Sequence, residues 1–517
     1  MRKTLFIKNA AYLTASSLVL RFAGIIFKVW LAARIGARGM GVYQLVFSLY
    51  MLASAFTASG IPTAVTRLIA SESALGSRKG VKKIMSATFK INLALSSLTA
   101  VFLLSCAKVL SRLLVGSADA VLSIKILSAC VFFTGVSSII KGYFIARRNA
   151  APGAVAGLIE QLVRISVTAA AIGAVYREGL YAVCAAVFIG DTAAEASSSL
   201  FLFLRYRADL GKIAGGDRRF ERRPVKSLCR IGAPLTASRY LNSFLRTAEN
   251  TLVPKMLTAF SGKNALPLFG MIKGMALPVL FFPSVILNAV STLLIPEMSE
   301  AVARRRAGLV RCAVEEILRA AALVGFLFAA IFAVSGYKIG ALLYGSGDVG
   351  FLLTALSPVV PLMYVDSLCD GLLKGLDQQN FTFRVSVSDS AARIVLILLF
   401  LGRTGIAGFI CIMYLSNLFT CALNVQRLKK ISGAAADAKT TIVFPVLTAA
   451  LSALTVKLIL DIFVLPDLVY IIILCVTCIP LYLSALYLLG CMNFASPGRM
   501  RKHKKYAAAT TRTSLIK

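Results

Sequence analysis

Ser138-Ile-Ile-Lys-Gly142, followed by Glu160-Gln-Leu-Val-Arg164-Ile165, recurs 229 residues further along the chain as Ser367-Leu-Cys-Asp-Gly371 and Asp389-Ser-Ala-Ala-Arg393-Ile394. Both copies run from the end of an apolar segment, through a short polar turn, into a segment with an acid-x3-Arg pattern. Duplicated halves of this kind are common in polytopic membrane folds. The chain is therefore predicted to contain two homologous lobes.

Composition places these lobes in a membrane. Of the 517 residues, 58% are hydrophobic and only 15% are charged, which is typical of a chain solvated by lipid. The predicted fold class is an all-α membrane protein with about fourteen transmembrane helices, because apolar runs of the roughly 20 residues that one span needs recur almost from end to end. The predicted spans are 10–34, 41–66, 84–107, 121–146, 153–175, 180–204, 228–256, 267–296, 312–336, 351–376, 382–401, 405–426, 440–461 and 469–492.

The repeat makes predicted spans 1–6 equivalent to spans 7–12. Six spans return the chain to the same side of the membrane, so the two copies share one orientation, and two pseudo-symmetric six-helix lobes are expected around a central cleft. Gly60-Ile61-Pro62 and Ile295-Pro296 occupy equivalent places in the two copies. The predicted domains are an N-lobe with a basic linker at 1–226, a C-lobe at 227–432, two appended helices at 433–498 and a basic tail at 499–517.

The formal net charge of +35 follows the predicted topology. If the N-terminus is cytoplasmic, basic residues concentrate on the cytoplasmic side, as the positive-inside rule requires. They include Arg78, Lys79, Lys82, Lys83, Arg218, Arg219, Arg222, Arg223 and the tail from Arg501 to Lys505. Both termini are therefore predicted to be cytoplasmic, anionic membrane lipids are expected partners, and no role in nucleic-acid binding is expected.

Cations at bilayer depth are the most informative residues. Each costs about 2.5–3.5 kcal/mol at the centre of a spanning helix. Arg21 and Lys28 in span 1 are seven residues apart, as are Arg239 and Arg246 in span 7, so each pair shares one helix face. With Lys273 in span 8, they predict a basic, hydrated cavity that binds an anionic substrate. Snorkelling toward an interface is the alternative for Lys28 and Arg239, and an ion pair with Glu249 is the alternative for Arg246.

Buried acids predict ion pairs and one candidate cation site. Glu160 with Arg164, and Asp389 with Arg393, are four residues apart and predict structural ion pairs. Asp366 and Asp370 could bind a coupling ion, Na⁺ or H⁺, although Lys374 lies one turn beyond Asp370. No metal site, cofactor or enzymatic activity is predicted: the one histidine, His503, lies in the tail, and no phosphate-binding Gly-Lys-Ser/Thr loop is present.

Several segments resemble a known family. Lys141-Gly-Tyr-Phe-Ile-Ala-Arg-Arg-Asn149 with Pro152 and Glu160-Gln-Leu-Val-Arg164 is similar to spans 4 and 5 of the stage V sporulation protein B family. That family is in the polysaccharide flippase branch of the multidrug/oligosaccharidyl-lipid/polysaccharide exporter superfamily, beside the lipid II flippases. Phe269-Gly-Met-Ile-Lys-Gly-Met-Ala-Leu-Pro278, Phe282-Pro283 and Leu294-Ile-Pro296-Glu-Met-Ser299 resemble the family's span 8.

The resemblance implies a bundle in the bacterial cytoplasmic membrane that alternates between inward-open and outward-open states. It further implies that the chain flips an undecaprenyl-pyrophosphate-linked glycan, a lipid II-like precursor in cell-wall, polysaccharide or spore synthesis, with Arg21 at the position of a span-1 arginine of lipid II flippases. A monomer is expected. Two alternatives stay open: a cation-coupled multidrug exporter of the same superfamily, and a non-transporting membrane scaffold for cell-wall or spore assembly.

Overall fold

The protein is described by a computed structural model, which covers residues 2–58, 60–74, 77–116, 118–149, 151–211, 224–285, 287, 298, 301–302, 304, 306–435 and 437–491. Within these ranges the regular structure consists of helices, and no β-strand occurs. Helices suit a lipid environment, because a helix forms its backbone hydrogen bonds internally and leaves no unpaired backbone group in hydrocarbon. The predicted all-α membrane class is confirmed.

The helices vary widely in length. They are α1 (Arg2–Ala58), α2 (Ile61–Ala74), α3 (Arg78–Val115), α4 (Val121–Ala146), α5 (Ala151–Val175), α6 (Leu180–Gly211), α7 (Pro224–Ser261), α8 (Ala265–Gly270), α9 (Leu277–Phe281), α10 (Ala307–Tyr344), α11 (Gly347–Leu356), α12 (Val360–Gly375), α13 (Gln379–Leu396), α14 (Gly402–Ser432), α15 (Phe444–Leu460) and α16 (Asp467–Leu488). A π-helical segment, Met271–Ala276, joins α8 to α9.

Ten of the described helical stretches are long and apolar enough to cross a membrane. Val19–Ser73, with 55 residues, and Gln379–Ser432, with 54, each have the length of two spans. Gly36 (φ 68°) and Gly405 (φ 60°) interrupt these stretches with backbone conformations that favour glycine. With each stretch counted as two spans, and with α7 and the short apolar helix Ala265–Phe281 added, the structure is compatible with the predicted fourteen.

The first of two compact units comprises Met1–Met275 and Arg393–Ile406. Here α6 packs against α4 and α5, and α7 packs against α1 and α2. Predicted span 41–66 is not one continuous helix, because α1 ends at Ala58 and α2 begins at Ile61. At this break Gly60 lies against α7 so closely that an added Cβ would stand 2.1 Å from the Gly232 carbonyl oxygen.

The second unit comprises Ala276–Ala392 and Ala407–Lys517. Its described part includes the two appended helices of the prediction, α15 and α16, which pack against α10. Their core is built around the buried residues Tyr470, Leu474 and Tyr482, and the Tyr482 hydroxyl donates to the carbonyl of Leu323 at 3.1 Å. The paired hydroxyl removes the cost of a free polar group in an apolar core.

Three features of the prediction lie outside the described residues. They are the arginine cluster of the linker within 212–223, the Ile295-Pro296 counterpart of the Gly60 segment, and the basic tail at 499–517. The lobe boundaries at 226 and 432, like the central cleft, stay predictions.

Candidate functional site

The first half of α1 carries cations on one side and exposed apolar side chains on the other. Arg21 is exposed and Lys28 is half-buried, and their seven-residue spacing keeps them within about 20° of each other. Val19 and Ile26 are 57% and 67% exposed. Val19 precedes Arg21 by two residues, and Ile26 precedes Lys28 by two. A step of two residues places each apolar side chain about 160° around the helix from its cation. Because the exposed apolar side is the one suited to lipid, the cations lie on the side of α1 turned away from lipid.

The same arrangement recurs on α7. Arg239 and Arg246 are both exposed and again seven residues apart. Leu241 and Phe244 are 41% and 49% exposed and lie two residues from an arginine, again about 160° around the helix. This helix therefore has one exposed basic side and one exposed apolar side, and the structure turns both arginines away from the apolar one.

Contacts between α7 and the second half of α1 fix the direction of this basic side. The rings of Tyr240 and Phe56 are 4.1 Å apart between centroids, and the Thr247 hydroxyl donates to the Ser48 carbonyl at 3.0 Å. Each arginine of α7 directly precedes one of these contact residues in the sequence. Both arginines therefore flank the interface between α7 and α1. That they share one hydrated cavity with the α1 cations stays a prediction.

Lys273, the fifth predicted cation, lies in an ionic cluster. Its Nζ is 3.1 Å from Oε1 of Glu249, and Nη1 of Arg393 is 3.4 Å from the same oxygen. Glu249 is almost fully buried, with its side chain 4% exposed. Glu249, the alternative partner that the sequence suggests for Arg246, thus contacts two other basic groups. Its negative charge offsets part of the positive charge of Lys273.

We expect cysteines on the two sides of α1 to differ in reactivity. In a background without the native cysteines, Arg21→Cys should react at least ~10-fold faster with a charged thiol reagent than Val19→Cys, because the reactive thiolate forms in water and not in hydrocarbon. The measurement is the labelling rate in sealed membranes and after permeabilisation. Equal rates at the two positions would show that the two sides of α1 have the same access to water and would contradict the geometry described for α1.

A second polar region lies inside the first unit, where α1, α4, α5 and α6 surround a cavity of about 250 Å³. Lys28 lines it together with Glu160, Arg164, Asp191 and Glu195. Arg164 bridges two acids: its Nη2 is 2.8 Å from Glu160 and its Nε is 2.9 Å from Asp191. The Glu160–Arg164 pair is the one that the four-residue spacing predicts.

Neutral hydrogen bonds complete the network. Tyr50 donates to Glu195 at 3.3 Å, and its hydroxyl also lies 2.8 Å from the hydroxyl of Thr134. Ser137 donates to the second Glu195 oxygen at 3.4 Å. The groups therefore come from α1, α4, α5 and α6 and link four helices by polar contacts at bilayer depth.

Charge balance distinguishes this cavity, which Lys28 of α1 lines, from the exposed arginines Arg21, Arg239 and Arg246. Three carboxylates, those of Glu160, Asp191 and Glu195, face the basic groups of Lys28 and Arg164, and a further lysine, Lys141, lies 3.6 Å from Glu160. Such a nearly neutral cluster limits the cost of burying each charge and leaves little excess charge for an anion. An anionic ligand is better suited to Arg21, Arg239 and Arg246 than to this cavity.

Sequence reasoning missed the ion pairs between helices, of which two are examples. Asp191 is 27 residues from Arg164, and Lys273 is 24 residues from Glu249, so no helical spacing connects either pair. The sequence does show acids within predicted spans, and an acid inside a membrane requires a partner. That signal does not specify which partner.

The predicted coupling acids are in the second unit. Lys374 Nζ contacts Oδ2 of Asp370 at 2.5 Å. The lysine therefore neutralises this carboxylate, as its position one turn beyond Asp370 suggests. Asp366 accepts a hydrogen bond from the Asn424 amide at 2.8 Å. Asp389, from the second predicted ion pair, accepts from Ser416 at 2.6 Å. Among the described residues no group of three or more His, Cys, Asp or Glu side chains could hold a metal ion.

Comparison with known proteins gives relatives of two kinds. The chain is 26% identical to stage V sporulation protein B of Bacillus subtilis (strain 168) over 389 residues, which are 73% of this chain and 74% of the relative. It is 22% identical to the lipid II flippase MurJ of the same organism over 167 residues, 31% of each chain.

Solved structures share the fold. The lipid II flippase MurJ in an inward closed conformation matches with a TM-score of 0.70 at 13% identity, over 92% of this chain and 98% of that one. An inward-facing multidrug resistance MATE family transporter of the MOP superfamily matches with a TM-score of 0.65 at 14% identity, over 83% of this chain and 100% of that one.

A model of the family described as "Polysaccharide biosynthesis protein" matches residues 6–302, more than half of the chain. This multi-pass membrane protein, with the fold of MOP-superfamily transporters, therefore belongs to the polysaccharide biosynthesis protein family.

Proposed function

We propose that this protein is a flippase that moves an undecaprenyl-pyrophosphate-linked glycan, a lipid II-like cell-wall or polysaccharide precursor, across the cytoplasmic membrane by alternating access. The observation that carries the proposal is the pair of basic sides on α1 and α7. Arg21, Arg239 and Arg246 are exposed there, each opposite an exposed apolar stripe. The contacts of α7 described above are with the second half of α1, whereas Arg21 lies on the first half, before Gly36. Basic groups exposed at bilayer depth but away from lipid need water or an anion to solvate them.

A pyrophosphate fits these groups chemically. A guanidinium binds phosphate oxygens through two parallel hydrogen bonds, and each charge-assisted bond contributes about 1.5–3 kcal/mol. The glycan would follow the pyrophosphate through a hydrated passage, while the polyprenyl tail would remain in hydrocarbon. No bond of the substrate is made or broken, so the role of the chain's residues is to neutralise the anion as it crosses. The likeness to the lipid II flippase MurJ in sequence and fold supports this substrate class.

A coupling ion, Na⁺ or H⁺, is part of the same proposal, and we place it at Asp366. Its neighbour Asp370 is paired with Lys374, whereas Asp366 accepts a hydrogen bond from a neutral amide. Glu249 is less suitable for an inorganic cation because Lys273 and Arg393 already contact it.

The cation-coupled drug exporter is less well supported. A cationic drug or a proton is bound by carboxylates, and an exporter of that kind should have one in the first span. From Arg2 to Ala58, helix α1 contains no Asp or Glu. Its basic groups would repel a cationic drug. The contacts among the described residues supply no specific argument for a non-transporting scaffold.

The test is transport by the purified full-length protein in liposomes. An undecaprenyl-pyrophosphate-linked disaccharide placed in one leaflet should become accessible to an impermeant enzyme on the other side, and a neutral polyprenyl glycoside of the same tail length should not. Depletion of the protein in its bacterium should leave the precursor in the inner leaflet. Drug sensitivity without precursor build-up would favour the exporter, and mislocalised partner enzymes without build-up would favour the scaffold.

A further inference from the structure

A groove on the flank of the first unit is separate from the cation sites. It lies between α3, α4 and α6 and has a volume of about 360 Å³. Its walls are aromatic and aliphatic, and they include Phe89, Leu93, Phe132, Phe133, Leu200 and Phe203. Leu93 and Leu200, both more than half exposed, form part of this lining, so the groove opens on the outer surface of the bundle.

Two lysines of α3 define the depth of the groove. Lys90 and Lys108 are both exposed and are separated by 18 residues, or roughly 27 Å of helix, which is close to the ~30 Å hydrocarbon thickness of a bilayer. Lys90 therefore marks one membrane interface. Phe89 and Leu93 of the groove flank this lysine in the sequence, so the groove begins at that interface and extends into the adjoining leaflet.

The end of α6 brings a second basic group to the same level. The Arg207 guanidinium lies 5.0 Å from the ring centroid of Phe203, a lining residue of the groove. The rings of Tyr206 and Phe89 are 6.0 Å apart, which holds this end of α6 beside the Lys90 end of α3. Lys90 and Arg207 are both exposed. The apolar groove thus has a basic rim on the side of the interface.

Asn92 adds a polar group just inside the rim. Its side chain lines the groove and is 1% exposed, and its Oδ1 atom is buried without a hydrogen-bond partner. The amide lies against Gly135 of α4, where an added Cβ would stand 2.5 Å from Oδ1. Asn92 therefore marks the level at which the apolar lining of the groove meets a polar side chain.

We propose that the groove is a binding site for an anionic phospholipid of the leaflet at the Lys90 end, which the positive-inside rule makes the cytoplasmic leaflet. The phosphate contacts Lys90 and Arg207, the glycerol backbone lies at the level of Asn92, and one acyl chain occupies the aromatic groove. On α6 the lining runs from Ala196 to Phe203, roughly 10 Å of helix against ~15 Å for one leaflet, which suits a single chain and not a glycan. The basic rim selects an anionic headgroup over a zwitterionic one.

Native mass spectrometry of the full-length protein with added phosphatidylglycerol or phosphatidylcholine tests the site. We expect retained phosphatidylglycerol to exceed phosphatidylcholine about tenfold, and Leu200→Trp, which fills the groove, to remove that preference. Leu98→Trp is the matched control, because Leu98 is a leucine outside the lining that is 70% exposed, against 61% for Leu200. Lys90→Gln and Arg207→Gln should each weaken phosphatidylglycerol binding several-fold, and Lys108→Gln should not.

Three results would overturn the proposal. Equal retention of the two lipids would remove the role of the basic rim. Undiminished phosphatidylglycerol binding by Leu200→Trp would locate the lipid elsewhere. Displacement of phosphatidylglycerol by an equal concentration of undecaprenyl phosphate would assign the groove to a polyprenyl chain instead of a phospholipid.

Discussion

Arg21→Ala and Arg246→Ala, made singly, are expected to reduce flipping by about 10- to 100-fold while the protein still inserts and accumulates. Each change removes a charge-assisted contact of about 1.5–3 kcal/mol to the pyrophosphate, and every 1.4 kcal/mol is a factor of ten. Both side chains are exposed, so neither change should create a cavity in a packed core. Binding and transport should therefore fall without a matching loss of stability.

The measurements are complementation of a depleted strain and the initial rate of flipping in liposomes, each normalised to the amount of protein in the membrane. Lys108→Ala is the matched control, because Lys108 is an exposed lysine of α3 that no part of the proposed pathway uses. Normal growth and normal flipping of both arginine variants would remove the basis of the proposed anion pathway.

Glu249→Gln should destabilise the protein by about 3 kcal/mol, at the lower end of the range for breaking a buried ion pair. The change leaves Lys273 and Arg393 near one another in a largely buried site without the carboxylate that both contact. The measurement is the thermal unfolding midpoint of the purified protein in one detergent and lipid mixture. Glu178→Gln, on the exposed 3₁₀ turn Tyr176–Glu178, is the matched control and should have little effect.

A second substitution separates lost charge pairing from general disruption. Adding Lys273→Met to Glu249→Gln removes one of the two cations that the Glu249 carboxylate contacts and should recover a large part of the lost stability, because an apolar replacement of a buried pair is often nearly neutral. A double variant that is less stable than Glu249→Gln alone would show that the cluster does not act through charge pairing.

Much of the fold was predictable from local sequence. Hydropathy and length identify spanning helices because the bilayer imposes one thickness on every span. The break between predicted spans 1 and 2 coincides with Gly36, and that between spans 11 and 12 with Gly405, both with positive φ. The division of predicted span 41–66 at Gly60 was missed, although Gly60 and Pro62 are local signals for the end of one helix and the start of the next.

The candidate site was predictable only where helical periodicity applies. Seven-residue spacing places Arg21 with Lys28 and Arg239 with Arg246, and four-residue spacing places Glu160 beside Arg164. Pairing across helices followed no such rule. The sequence allows several acids on other spans as partners of Arg164. Only the packing of α5 on α6 brings Asp191 to its Nε.

By itself the sequence determined the helical class, the membrane environment and the helix face on which each intramembrane cation lies, because all three depend on hydrophobicity and the period of one helix. The tertiary structure decided which charges meet. It set Glu249 between Lys273 and Arg393, Asp191 against Arg164, and the exposed arginines of α7 beside α1. The physical reason is that a charge acts over a few ångströms in space, and distances of that size between helices are fixed by packing and not by position along the chain.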